Sequence, residues 1–153
     1  MPTEQQPIKT NKPRKKPNRR HRARAFALQA IYQWHVTHEV PNNIVTHFLE
    51  EHAEKINAER HMDVDYFQSL VVGTIENIDS IDARMTPFLD RPLAQLNPVE
   101  LAVLRLAIHE LIKHPEVPQN VVLNEAIELT KEFGATDGYK FVNAVLNALI
   151  KAP

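Results

Sequence analysis

Asn97-Pro98-Val99-Glu100 opens a helix that leaves the rest of the chain little choice of fold. The four residues supply an N-cap side chain, a proline where no N–H is needed, and a glutamate placed to reach back to the cap. The helix runs to about His114. It is apolar on most sides, through Leu101, Val103, Leu104, Leu106, Ala107, Ile108, Leu111 and Ile112. A helix without a broad polar face belongs at the centre of a bundle, covered by amphipathic neighbours.

Those neighbours are legible on both sides. From Arg19 onward, Ala23, Ala27, Ala30, Ile31 and Trp34 fall within one helical stripe. Pro41 is expected to end that helix, and Asn42 or Asn43 to cap a shorter one over 43–58. Asp63 suits the N-cap of a long helix over 64–86, striped by Phe67, Leu70, Val71, Ile75, Ile78 and Ile81. Pro87 and Pro92 interrupt the chain before the central helix, and Pro115 and Pro118 bracket the turn after it. A helix over 119–133 closes at Gly134. Thr136 or Asp137 caps the last helix, which carries Val142, Val145, Leu146 and Leu149. No strand or glycine-containing hairpin signal appears. The expectation is an all-α domain of six or seven helices over 19–153, in two packed halves. Residues 1–18 hold Pro2, Pro7, Pro13 and Pro17 without apolar periodicity, and are expected to form a disordered basic arm when unbound.

Charge is divided along the chain. Lys9, Lys12, Arg14, Lys15, Lys16, Arg19, Arg20, Arg22 and Arg24 are half of the 18 Lys and Arg, against one acid, Glu4, in the same stretch. The remainder is acidic, so the net charge of −1 averages two unlike parts. A basic arm running into a helix suits a polyanion, and an acidic body suits a basic protein. Several chemistries are excluded. Cysteine is absent, which removes thiol nucleophiles and Cys-based zinc sites. Three glycines form no phosphate-cradling loop. No apolar run approaches the ~18 residues of a membrane span, and no apolar stretch follows the basic N-terminus as a signal peptide would require. His109 and His114 lie about 140° apart around a helix, which is not the HExxH arrangement. His35, His38 and Glu39 read as a solvated helix end. The expectation is a binding protein with no catalytic site, metal or cofactor.

Four blocks of sequence carry a family resemblance. They are Arg19-Arg20-His21-Arg22-Ala23-Arg24 running on to Ala27-Leu28-Gln29-Ala30-Ile31-Tyr32-Gln33-Trp34, then Val103 to Leu111, Val117-Pro118 with Leu123 to Lys131, and Phe133-Gly134-Ala135 with Lys140 to Leu146. In this order they resemble the NusB family of bacterial transcription antitermination factors, over about 19–149. The resemblance implies two packed three-helix bundles and a bacterial cytoplasmic location. It further implies pairing with NusE, a small-subunit ribosomal protein, and binding of single-stranded boxA RNA within the RNA polymerase antitermination complex. The chain departs from the family at His21, where arginine is usual, and at His109, where tyrosine is common. Gly138 and Ala144 stand where serine and glycine are common.

Tyr32 lies about 160° around its helix from Trp34, which is assigned to the core. On pattern alone Tyr32 is either a half-buried ring near Leu28 or a platform for an unpaired base. Phe141 is either a core-edge ring or a second platform. The resemblance implies the RNA role for both, with Asp137 and Lys140 beside Phe141. Arg19, Arg20, Arg22 and Arg24 are the expected phosphate contacts. Glu100 is the expected contact for NusE, although it also fits its capping box. Glu125 and Glu128 read as ordinary exposed helix charges. Two further readings stay open. One is an accessory domain like those fused to RNA methyltransferases. The other is a helical adaptor with an incidental basic tail.

Overall fold

A computed structural model describes residues 18–59 and 62–153. The expected basic arm, but for Asn18, lies outside these residues. Eight α-helices are found among the described residues: α1 (Arg19–Thr37), α2 (Pro41–Glu51), α3 (Ala53–Glu59), α4 (Val64–Glu76), α5 (Ile78–Met85), α6 (Pro98–Lys113), α7 (Gln119–Phe133) and α8 (Gly138–Lys151). Short 3-10 turns at Thr86–Phe88 and Leu93–Gln95 join α5 to α6.

The helices outnumber the sequence expectation because two long segments break. The segment expected over 64–86 breaks at Asn77, whose side chain and N–H both bond to the Gly73 carbonyl, at 2.8 and 3.2 Å. An asparagine that satisfies the preceding carbonyl ends a helix as a glycine would. The segment expected over 43–58 breaks at His52. Pro41 does not end the first helix. His38 ends it in the left-handed conformation, φ 57°, with its N–H on the Trp34 carbonyl. Pro41 instead occupies the first position of α2, and neither Asn42 nor Asn43 is the cap.

The opening of α6 is largely as read. Asn97 Oδ1 accepts from the N–H groups of Val99 and Glu100, at 2.9 and 3.2 Å. The reciprocal bond from Glu100 is absent, because its carboxyl turns toward α8 instead. Helix α6 is buried from Glu100 to Glu110. It packs on α1, α4 and α5 on one side and on α7 and α8 on the other. The halves are thus α1, α2 and α4 against α6, α7 and α8, with α1 and α6 forming the joint. Ile31, Phe67, Leu70, Leu104, Ile108, Leu129 and Leu146 are among the fully enclosed side chains, and Trp34 packs at the edge of the same core.

A core of this kind has to accommodate the polar residues of α6. Arg105 forms paired bonds with Asp82 of α5, at 2.9 and 2.8 Å. Glu110 accepts from Arg24 through a bifurcated Nε bond, at 3.0 and 2.9 Å, and from Nη2 at 2.5 Å, and from the Tyr66 hydroxyl at 2.5 Å. His109 lies against Gly73. A Cβ there would fall 2.5 Å from the ring, so the glycine is required by close approach rather than by backbone shape.

Candidate nucleic-acid interface

The four arginines read as one phosphate-binding run do four different things. Arg24 is only 4% exposed, and its guanidinium closes on Glu110 with Glu125 3.7 Å away. Burial works against its charge, but the bond to Glu110 prevails and holds its pKa above the ordinary value. Arg24 is therefore a joint between the halves and is not available to RNA. The helix turns by about 100° per residue, so residues 19, 20, 22 and 24 cannot share a face. Arg20 lies over the Tyr66 ring, 4.0 Å from its centroid, and 3.8 Å from Asp63. Arg19 reaches the Met62 carbonyl at 3.5 Å. Arg22 lines a hollow with Phe26, Gln29, Lys55 and Phe133. His21, where arginine was expected, holds Glu125 at 2.7 Å. Glu125 is thus paired on α1, not an ordinary surface charge.

Tyr32 is 41% exposed. It borders a groove of about 480 Å³ with Gln29, Gln33, Val36, Val99 and Phe133. Val36 and Phe133 are also exposed, so the groove is apolar as well as open. Sequence reasoning placed Tyr32 on the far side from Trp34, and the structure agrees. Phe133 had been part of a family block without a role. It reaches the groove because it ends α7 directly beside α1.

The N-terminus of α8 forms the second surface. Asp137 sits at the N-cap with φ 70° and makes no side-chain cap bond, contrary to expectation. Its carboxylate lies 3.6 Å from Lys140 instead. Aspartate tolerates the left-handed conformation better than most residues. Phe141 is half-buried, and the Arg91 guanidinium lies 4.7 Å from its ring centroid. Asp90 holds Arg91 through bonds of 2.7 and 3.2 Å. Arg91 was missed in the sequence because it lies between two prolines and two short turns, with no helical period to place it.

Glu100 stands between the two surfaces and is 7% exposed. Its carboxyl packs against the backbone of Gly138, where any Cβ would collide with Oε2. Burial raises its pKa, and the nearby Arg91 acts in the opposite sense. A side chain at Gly138 would require the end of the Glu100 side chain to shift. Placed this way, Glu100 offers a partner little surface. No group of three or more His, Asp or Glu among the described residues is arranged to hold a metal ion. No described helix is long and apolar enough to cross a membrane.

The arrangement sets one exposed and one half-buried ring near exposed cations, and known proteins share its frame. The NusB family model matches residues 21–151. The transcription antitermination protein NusB of Coxiella burnetii (strain RSA 493 / Nine Mile phase I) is 50% identical over 130 residues, covering 85% of this chain and 91% of that protein. Its counterpart in Colwellia psychrerythraea (strain 34H / ATCC BAA-681) is 45% identical over 136 residues, covering 89% and 95%. Among solved structures, the chain is similar to one from a crystal structure of antitermination factors NusB and NusE in complex with dsRNA. That pair has a TM-score of 0.75 and 27% identity, covering 87% of this chain and 96% of the other. T. maritima NusB gives a TM-score of 0.72 and 29% identity, with coverage of 86% and 89%.

Proposed function

The chain belongs to the NusB family, and we propose that it is an RNA-binding transcription antitermination factor that pairs with NusE on boxA RNA of nascent transcripts. In this role it promotes read-through by RNA polymerase and carries no chemistry of its own. The observation that carries the reading is the match of nearly the whole helical domain to antitermination proteins at 45–50% identity.

The geometry supports two contact surfaces. On one, Phe141 offers a ring with Lys140, Asp137 and Arg91 around it. On the other, Tyr32 offers a ring beside Gln29 and Phe133, and the same two residues line the adjoining hollow that holds Arg22. A base stacked on an aromatic side chain gains about 1–3 kcal/mol, which no single exposed ion pair supplies. The rings therefore decide placement, and Arg19, Arg20 and Arg22 supply attraction. Arg24 leaves the set of RNA contacts. Residues 1–18 add salt-sensitive affinity without selectivity through their charge. Glu100 serves NusE only if its carboxyl turns out from Gly138. The apolar groove around Tyr32 favours a second reading of that residue, as a seat for an apolar side chain of NusE.

Binding of boxA RNA, scrambled RNA and duplex RNA, each with and without NusE, tests the proposal. A weak, salt-sensitive complex is expected alone, and a tighter, sequence-selective one with NusE. Equal affinity for boxA and scrambled RNA in the presence of NusE defeats it. Phe141→Ala should weaken RNA binding by about fivefold or more while the fold persists. Tyr32→Ala separates its two readings: loss of NusE binding without RNA present assigns the groove to protein.

A further inference from the structure

Arg91 is the cation whose placement none of the expected contacts explains. It stands on the irregular connection between α5 and α6, far in sequence from the basic arm, yet its guanidinium covers the ring expected to meet RNA. Its Nε and Nη2 are bound by Asp90, while Nη1 has no partner among the described residues. Both side chains are well exposed, Arg91 at 42% and Asp90 at 69%. A pair so exposed is screened by salt and readily exchanged. The two non-bridging oxygens of an RNA phosphodiester present a similar pair of acceptors, with the same single negative charge as Asp90.

We infer that Arg91 is an RNA-phosphate contact, held over Phe141 by Asp90 until a nucleotide takes its place on the ring. The inference rests on the proposed RNA role of the Phe141 surface. A base arriving at Phe141 displaces the guanidinium from the ring face. Arg91 then leaves Asp90 and follows the phosphate of the same nucleotide. Nothing else has to move, because the connection bearing Arg91 flanks α8 and the exchange involves one exposed side chain. Asp90 is thus a placeholder that competes with the phosphate for the guanidinium and has to be displaced on binding.

Salt-dependent binding of boxA RNA by the full chain with NusE tests this directly. Each phosphate contact to a single strand contributes about 0.7 to the log–log slope. Arg91→Ala should flatten the slope by about 0.7 and weaken binding about fourfold at 0.15 M salt. Arg91→Lys should keep the slope. Asp90→Asn should tighten binding in the natural background and change nothing in the Arg91→Ala background. An unchanged slope in Arg91→Ala overturns the inference. So does an Asp90→Asn gain that is equal in both backgrounds, since that gain would be a general loss of negative charge. If Phe141→Ala weakens binding while Arg91→Ala does not, Arg91 alone is wrongly assigned. If neither variant weakens binding, the RNA role of this surface falls, and the inference falls with it.

Discussion

Arg24 and Arg91 each grip a carboxylate beside an aromatic ring, one sealed between the two halves of the molecule and the other standing in solvent. Arg24 meets Glu110 with Tyr66 alongside, 5.6 Å from its ring centroid. Arg91 meets Asp90 with Phe141 at 4.7 Å. The chemistry is nearly the same, and the surroundings decide its use. In the buried cluster every group is committed, because an unpaired charge there has no water to turn to. In the exposed cluster each bond competes with water and salt, so an incoming phosphate can replace any of them. A guanidinium–carboxylate pair is therefore no evidence of an RNA site until its burial is known.

The sharpest way to break the comparison is to remove the buried arginine. Arg24→Ala leaves Glu110 charged, enclosed and short of its donors. The expected loss of stability is about 3–5 kcal/mol, read from denaturant midpoints. A loss below about 1 kcal/mol would mean that water reaches Glu110, and the contrast with Asp90 would disappear.

The acid limb of stability comes next. His109 lies beside this cluster, its ring 5.5 Å from that of His114, which in turn lies 5.0 Å from Tyr66. Burial lowers its pKa from 6.5 to about 4, with a smaller push from His114. Between those values the unfolded chain binds the proton that the folded chain refuses. Its contribution is therefore complete above about pH 6.5 and is lost as pH falls toward 4, by about 3 kcal/mol in all. His109→Phe should remove this limb, as followed by unfolding at pH 7 and pH 4.5. Equal pH dependence in the variant would show that another buried group controls it.

Tyr66→Phe tests the same cluster more gently. Burial and the bond to Glu110 push the Tyr66 hydroxyl well above its ordinary range, so it stays a donor. Deleting it takes one charged hydrogen bond from Glu110, at a cost of about 1.5–3 kcal/mol. RNA binding at saturating protein should not change, because the ring and Arg20 remain in place. A loss of RNA affinity without loss of stability would move Tyr66 to the interface.

The frame of the molecule was readable because it follows from local rules. Asn97 and Pro98 announced α6, and the apolar residues of α6 required neighbours on every side. Asp63 caps α4 as read, accepting from the Tyr66 N–H at 3.0 Å. The misreadings came where a residue's fate depends on something distant. Arg24 looked continuous with Arg19, Arg20 and Arg22, but its partner Glu110 lies 86 residues away. A signal was present on the other side of that pair. Arg105 and Glu110 interrupt a helix otherwise too apolar to be exposed, so each needed a buried partner. Asn77 ends α4 through a side-chain bond that no apolar stripe reveals. Arg91 lay in a segment without period, and only the packing of α8 brings Phe141 beneath it.

The smallest effect is expected where the two regions differ most. Asp90→Asn should leave the thermal midpoint unchanged, although it removes an ion pair with two short bonds. Both partners keep full access to water, so the folded state loses little that solvent does not restore. The same substitution is expected to alter RNA binding, and that dissociation is the point of the measurement. Glu110→Gln provides the buried counterpart: it also removes one negative charge from a guanidinium, but leaves Arg24 enclosed with only the more distant Glu125, at 3.7 Å, as a counterion. A fall in midpoint for Glu110→Gln and none for Asp90→Asn places structural and exchangeable arginines in separate classes. A fall for both would mean that the connection carrying Arg91 is held in place by its ion pair. Arg91 would then be a fixture of the fold and not free to follow a phosphate.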